Sequence, residues 1–172
     1  MDLVMIRHAK AGERDAARWP DDDLRPITAE GAAELAAALK TMRRMGVAFD
    51  FLVSSPLVRA RQTAELVAEA FGWEGPPSES EALGHGCTVA AVLDLLVKFP
   101  PDAAVAIVGH EPEFSKVAAK LVGRSGDAAI DLKKGGVIGI RFDGPPAAAA
   151  GRLEFLLKPG LLRKLGRRPD RG

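Results

Sequence analysis

The sequence contains little cysteine, little net charge and no long apolar segment. Cys87 is the single cysteine among 172 residues, so the chain can form neither an intramolecular disulfide nor a cysteine-based zinc site. The 24 lysines and arginines are balanced by 23 acidic residues, and the net charge of +1 argues against a surface built for nucleic acid or acidic membranes. We therefore expect a protein of the reducing cytoplasm, with no nucleic-acid or membrane partner.

The apolar segments that do occur are short. No stretch approaches the roughly 18 consecutive apolar residues of a membrane span. The N-terminal apolar run 3–6 ends at Arg7 and is shorter than the about 7–15 residues that a secretory signal requires. With 47% hydrophobic residues, the chain suffices for one globular domain, which we predict at residues 1–160. Residues 161–172, which include Arg163, are predicted to form a basic, solvated tail.

Strand and helix signals alternate along the chain. Buried strands are predicted at 3–6, 49–53 and 103–108, and helices at 28–45, 55–71, 88–99 and 112–122. Thr28 is the predicted N-cap of the first helix, and Ser55 with Pro56 is predicted to begin the second. A Gly/Pro/Ser-rich connector is expected at 72–87, and an antiparallel hairpin at 136–142 and 152–157. This order indicates an α/β fold with a mainly parallel sheet and helices on both faces.

Polar residues follow three of the predicted strands at the point where each strand ends. Arg7 and His8 follow the first strand, Arg59 lies in the first helical turn after the second, and His110 follows the third. Ligands of open parallel sheets bind beyond the carboxyl ends of the strands. We therefore expect two histidines and two arginines to meet at one edge of the sheet.

Such a cluster is suited to phosphoryl chemistry. Arginine side chains and helix N-termini bind phosphate through charge and matched hydrogen-bond donors. Neutral imidazole is available near pH 7 and can attack phosphorus, while surrounding cations stabilise the transition state. This scheme requires no cofactor and no metal. A metal site built on His8 and His110 is disfavoured because the two neighbouring arginines would repel a cation.

Three motifs resemble those of a known family. Residues 6–9 (IRHA), residues 54–65 (SSPLVRARQTAE) and residues 108–112 (VGHEP) are similar, in order and context, to the signatures of the histidine phosphatase superfamily, which includes the phosphoglycerate mutases. The resemblance implies a three-layer fold with a mixed, mostly parallel sheet and metal-independent catalysis. It also implies that His8 is the phosphorylated nucleophile, and that Arg7, Arg59 and His110 hold the phosphoryl oxygens.

The connector between the second and third motifs is short, and this bears on the substrate. Larger members of the superfamily carry insertions there that cover the site, so a shallow, open site is expected. Residues 23–31 (DLRPITAEG) also resemble the loop-to-helix segment of SixA-type phosphohistidine phosphatases, and Arg25 within them is a candidate substrate-binding residue at the site mouth. Glu81 occupies the place of the superfamily's general acid, and Glu79 is the alternative.

These features favour a phosphatase that removes phosphate from phosphohistidine on a protein. The alternative is a phosphomonoesterase that uses the same site for small metabolites such as sugar phosphates or nucleotides. A non-catalytic phosphate-binding module is a third possibility, and the intact His8 weighs against it. A phosphate or sulfate ion is expected to bind in the site in each case.

Overall fold

A computed structural model describes residues 1–123 and 129–166 of the chain. The strands are β1 Asp2–Arg7, β2 Phe51–Ser54, β3 Ser78–Glu79, β4 Ala104–Gly109, β5 Val137–Phe142 and β6 Gly151–Leu157. The α-helices are α1 Ala29–Arg44, α2 Val58–Phe71, α3 Val89–Leu96, α4 Glu113–Val122 and α5 Pro159–Gly166. Two short 3-10 helices lie at Asp22–Leu24 and Glu81–Leu83.

The six strands form one mixed sheet in the order β3-β2-β4-β1-β5-β6. Strands β3, β2, β4 and β1 pair in parallel, while β5 is antiparallel to both β1 and β6. The predicted α/β fold, a mostly parallel sheet between helices, is therefore confirmed, as is the C-terminal hairpin. The parallel half directs the carboxyl ends of β1, β2 and β4 to the same edge.

The two faces of the sheet each carry their own apolar core. Side chains alternate along β1, so Leu3 and Met5 pack with α3 and α4, while Val4 and Ile6 pack with α1 and α2. Leu162 of α5 joins the second core and is fully buried. Strand β1 is covered on both faces, and its residues 3–6 are accordingly all apolar, as expected of a central parallel strand.

The start of α1 is locked against the chain that follows β1. The Thr28 side chain accepts a hydrogen bond from the Gly31 amide at 3.0 Å and is the N-cap, as predicted. The Thr28 amide in turn donates to the Lys10 carbonyl at 2.8 Å. A Cβ at Gly31 would collide with that carbonyl, so the close approach requires glycine.

Three boundaries differ from the sequence-based expectation. Helix α2 begins at Val58 with Leu57 as its cap, not at Ser55 and Pro56; the Ser55 hydroxyl accepts from the Leu57 amide at 3.3 Å and closes a turn that precedes the helix. Strand β3 lies within the predicted connector, and its two residues are too few to show an alternating pattern. Helix α3 ends at Leu96, before the predicted limit.

The predicted tail boundary at residue 161 also differs from the structure. Residues 161–166 belong to α5, which packs on α1 through Leu162, and the Arg163 guanidinium pairs with Glu34 at 3.1 Å. Burial of an apolar side chain explains why this segment is helical despite its basic composition. The remainder of the predicted tail, 167–172, lies outside the described residues. Among the helices of 1–123 and 129–166, none has the length and apolar character needed to cross a membrane.

Candidate active site

The structure brings the ends of β1, β2 and β4 together around two histidines. The His8 amide donates to the Gly109 carbonyl at 3.0 Å, which fixes the residue after β1 beside the end of β4. The Ser55 amide donates to the Val108 carbonyl at 2.9 Å and fixes the end of β2 in the same way. The rings of His8 and His110 consequently lie with their centroids 5.3 Å apart.

The hydrogen bond made by His8 determines which ring nitrogen is free. Its Nδ1 lies 2.7 Å from the Ala9 carbonyl oxygen, and a carbonyl can only accept. Nδ1 therefore carries the proton, and in the neutral ring Nε2 keeps its lone pair. The Ala9 amide, which belongs to the peptide between His8 and Ala9, donates to the Thr63 hydroxyl at 3.0 Å, so α2 helps to fix the backbone on either side of His8 and Ala9.

The surroundings of His8 keep the ring neutral. The residue is only 6% exposed, and this burial, together with the charges of Arg59, Arg7 and Lys134, lowers the pKa of His8 to about 3. A free imidazole would be partly protonated near pH 6.5. His8 is therefore available as a nucleophile throughout the physiological range.

His110 is held by the residue after β2. Its Nε2 lies 2.8 Å from the Ser55 hydroxyl oxygen, which also accepts a hydrogen bond from the Leu57 amide at 3.3 Å. When the Ser55 hydroxyl donates to Nε2, the proton of neutral His110 resides on Nδ1. Burial, with contributions from the charges of Arg59 and His85, lowers the pKa of His110 to about 3.

Three buried nitrogens of this cluster have no hydrogen-bond partner among the described residues: Arg7 Nε, Arg59 Nε and His110 Nδ1. The other ends of the two arginines are anchored, because Arg7 Nη1 donates to the Leu132 carbonyl at 2.8 Å and Arg59 Nη1 to the Asp22 carbonyl at 2.9 Å. Buried polar atoms are normally paired, and unpaired ones mark a site for a ligand. Two guanidinium groups with free N–H donors indicate an anion.

Asp22 links the arginines of the site mouth. Its carboxylate accepts from Arg25 Nε at 2.8 Å and Nη2 at 3.1 Å, and Arg59 Nη1 lies 3.5 Å from its Oδ2. Arg14 pairs with the same carboxylate at 3.4 Å. The hydrogen bond from Arg25, followed by those of its other partners, lowers the pKa of Asp22. Arg25, predicted at the mouth, is thus tied to Arg59 through a shared carboxylate.

The two candidate general acids lie apart from this network. Glu81 begins the 3-10 helix Glu81–Leu83 and is exposed, and its carboxylate forms no hydrogen bond or ion pair with the other residues of 1–123 and 129–166. Glu79 lies in β3 and pairs with Arg61 of α2 at 3.7 Å. The acid role of Glu81 stays a prediction, and the contacts of Glu79 direct it toward α2.

Three site neighbours were not singled out from the sequence. Asp22 lies in a polar loop without a motif, and Lys134 comes from the turn before β5. Glu111 follows His110, and burial raises the pKa of its carboxyl group, whose Oε1 accepts from the Ser115 hydroxyl at 2.8 Å. Glu111 belongs to the third motif, 108–112, and precedes α4 by two residues, but nothing in the motif assigned its carboxyl group to the site.

Two further titratable side chains, His85 and Cys87, come from the connector before α3. His85 is exposed, and its Nε2 lies 2.5 Å from Asp23 Oδ1, which joins the connector to the Asp22–Leu24 segment. Cys87 is half-buried, and burial raises the pKa of its thiol to about 11. The thiol is therefore protonated near neutral pH and is not an activated nucleophile.

Comparison with known proteins identifies the family. The family model of the histidine phosphatase superfamily (branch 1) matches residues 3–84, which include the first two motifs. The chain belongs to the histidine phosphatase superfamily. An uncharacterized protein of Picosynechococcus sp. strain PCC 7002 is 33% identical over 144 residues, which cover 82% of this chain and 85% of the relative.

Solved structures of the superfamily share the whole fold. The protein histidine phosphatase SixA in complex with tungstate matches with a TM-score of 0.80 and 21% identity, covering 94% of this chain and 99% of that one. A provisionally assigned SixA phosphohistidine phosphatase of Nakamurella multipartitia matches with a TM-score of 0.74 and 28% identity, covering 92% and 95%. The superfamily fold therefore extends beyond the family-model match to the third motif and the C-terminal hairpin.

Proposed function

We propose that the protein hydrolyses phosphohistidine on a protein substrate and carries the phosphoryl group transiently on His8. The observation that carries this proposal is the unprotonated Nε2 of a buried histidine, in a cluster with three buried nitrogens that lack protein partners. The nucleophile and its anion-binding groups are thus assembled at one sheet edge. The similarity to SixA structures supports the choice of substrate.

In the first step, the Nε2 lone pair of His8 attacks phosphorus. The new P–Nε2 bond forms as the bond between phosphorus and the substrate nitrogen breaks, and the electron pair remains on the substrate imidazole. When the other nitrogen of that imidazole is protonated, the leaving group is neutral. The transfer then requires no proton from the enzyme.

Charge on the transferred phosphoryl group is stabilised by the anchored cations. Arg7, Arg59 and His110 provide the donors to its oxygens, with Arg59 fixed at its far end by Asp22 and Arg7 by Leu132. Because these groups are already desolvated and positioned, they need little reorganisation during the reaction. In the second step, water attacks phosphorus, the P–Nε2 bond breaks, and orthophosphate leaves.

The surroundings of the acid candidates favour a nitrogen leaving group. A phosphate ester expels an alkoxide and gains strongly from a general acid, commonly 10²–10⁴-fold in rate. Glu81 is exposed, its carboxylate has no hydrogen-bond or ion-pair partner in the described part of the chain, and Glu79 pairs with Arg61. Neutral imidazole leaves without such help, so the same site is better suited to phosphohistidine than to sugar phosphates or nucleotides.

The proposal is tested by comparing substrates in the presence of a chelator. We expect a protein phosphorylated on histidine to be preferred over aryl, sugar and nucleotide phosphates, and His8→Ala to abolish turnover of all of them. A quenched reaction should contain an acid-labile, alkali-stable phosphoenzyme, because a P–N bond has that stability. His85→Ala, which removes an exposed histidine, is the matched control and should retain the phosphoenzyme.

Any of the following results would contradict the proposal. Preference for a small phosphate ester would assign the protein to metabolite hydrolysis with the same nucleophile. Phosphate binding without turnover of any substrate would indicate a binding module. A phosphoenzyme in His8→Ala, or one that survives acid, would identify a different nucleophile.

A further inference from the structure

The turn before β5 is joined by hydrogen bonds to the end of β1. The Gly135 amide donates to both the Arg7 and the His8 carbonyls at 3.1 Å, and the Arg7 amide donates to the Gly136 carbonyl at 3.1 Å. Gly135 has a φ of +71°, a conformation that favours glycine. The turn 132–136 is thus fixed beside the nucleophile, although it lies more than 120 residues away in sequence.

Lys134 belongs to this turn and precedes Gly135, whose amide is bonded to the Arg7 and His8 carbonyls. Burial of its ammonium group, followed by the charges of Arg7, Arg25 and Lys10, lowers the pKa of Lys134. The Lys134 charge also lowers the pKa of His8. The residue remains exposed, whereas His8 is buried, so Lys134 lies on the solvent side of the nucleophile.

The cations around Lys134 differ in how they are paired. Lys10 donates to Glu30 at 2.6 Å, and Arg25 is held by Asp22. Lys133, the preceding residue, pairs with Asp131 at 3.0 Å. Within 1–123 and 129–166, no carboxylate lies within 4.0 Å of the Lys134 ammonium group. Apart from Arg7, which is proposed to bind the phosphoryl group, Lys134 is therefore the cation of this group that can accept an anion without breaking an ion pair among the described residues.

We propose that Lys134 forms a second anionic subsite, which binds a carboxylate next to the phosphoryl group of the substrate. This inference rests on the proposed function and refines it, because the substrate class becomes phosphohistidine flanked by an acidic side chain. The donors for the transferred phosphoryl group are supplied by Arg7, Arg59 and His110. Lys134 instead contacts the flanking carboxylate of the substrate, which is not transferred and stays at the site mouth. Lys134 thus acts as a specificity residue.

The test uses two peptides phosphorylated on histidine that differ only in a glutamate or a glutamine beside it. For the unaltered protein, we expect kcat/KM to be about two- to fivefold higher for the glutamate peptide, the size of a half-exposed ion pair. Lys134→Gln should remove this preference through a higher KM at unchanged kcat, and Lys134→Arg should restore most of it. Lys133→Gln is the matched control and should keep the preference.

Each outcome decides the proposal. Equal selectivity in the unaltered protein and Lys134→Gln overturns it, as does an effect confined to kcat, which would indicate a structural role for the turn. If neither peptide reacts while aryl phosphates do, the proposed function fails and the subsite is tested on phenyl phosphates with and without a ring carboxylate. Loss of the carboxylate preference in Lys134→Gln then supports the subsite, and its persistence overturns it.

Discussion

The two ends of the parallel strands carry similar charged groups in opposite settings. At the amino end, Asp2 and Arg141 form a two-point pair, with Nε–Oδ1 at 2.7 Å and Nη2–Oδ2 at 3.2 Å, and both side chains are about half exposed. At the carboxyl end, Arg7 and Arg59 are desolvated, and each has a buried Nε without a partner among the described residues.

This difference separates groups that stabilise the fold from groups reserved for a ligand. An exposed pair such as that of Asp2 and Arg141 is complete and contributes little to stability, because solvent screens it. Buried, incompletely paired cations reduce the stability of the folded state until an anion completes their hydrogen bonds. Phosphate or sulfate should therefore stabilise the protein against unfolding by binding at the carboxyl end of the parallel strands and not at their amino end.

The sharpest test of the comparison replaces one arginine at each end. Arg59→Ala removes a proposed donor to the transferred phosphoryl group, and we expect kcat/KM for an aryl phosphate to fall by about 10²–10³-fold. Arg141→Ala removes an exposed pair far from the site and should change kcat/KM less than about twofold. Steady-state kinetics of both variants measure kcat/KM. Comparable losses of kcat/KM in the two variants would contradict the difference between the two ends.

The two histidines at the carboxyl end of the parallel strands should also make the stability of the protein depend on pH. Folding lowers the pKa of His8 and His110 from 6.5 to about 3, so the unfolded chain binds more protons between these values. Stability should therefore fall as the pH is lowered from 6.5 toward 3, by up to about 1.4 kcal/mol per pH unit for each histidine. Urea unfolding without phosphate at pH 7.5 and 5 measures this loss.

The double variant His8→Asn/His110→Asn isolates the contribution of the two histidines. Its free energy of unfolding should depend less on pH than that of the unaltered protein, because both titrating groups are gone. Carboxylates elsewhere contribute equally to both proteins. An identical pH dependence in the two would show that the histidines are not held neutral by the fold.

A smaller effect on kcat/KM than that of Arg59→Ala is predicted for the carboxylate that positions Arg59. Asp22→Asn keeps the backbone carbonyl that accepts from Arg59 but removes the charge shared with Arg25 and Arg14. We expect about a tenfold lower kcat/KM, with a larger effect on KM than on kcat, because the arginine remains near the site. Asp2→Asn is the matched carboxylate change at the amino end, and an equal loss there would contradict a positioning role.

The sequence was sufficient to predict which residues follow the strands of the parallel half. Each of the three motifs combines a local strand end with a polar residue, and parallel strands bring such ends to one edge whatever the details of the loops. The proximity of His8 and His110 could therefore be expected before any contact was known. Thr28 as a cap and the C-terminal hairpin were similarly local patterns.

Contacts between distant segments could not be predicted in this way. Asp22 meets Arg59 across 37 residues, and the turn that holds Lys134 meets β1 across more than 120. Neither has a local pattern, because loop conformation is set by the packing of surrounding elements. The contact between the Ser55 hydroxyl and His110 is of the same kind, since the two residues follow different strands.

The bond from His8 Nδ1 to the Ala9 carbonyl has one further consequence for the catalytic cycle. Its acceptor is the neighbouring peptide, so neither arrival nor departure of a phosphoryl group at Nε2 disturbs it. The imidazole hydrogen then stays on one atom through both half-reactions. His8 therefore neither gains nor loses a proton between successive turnovers.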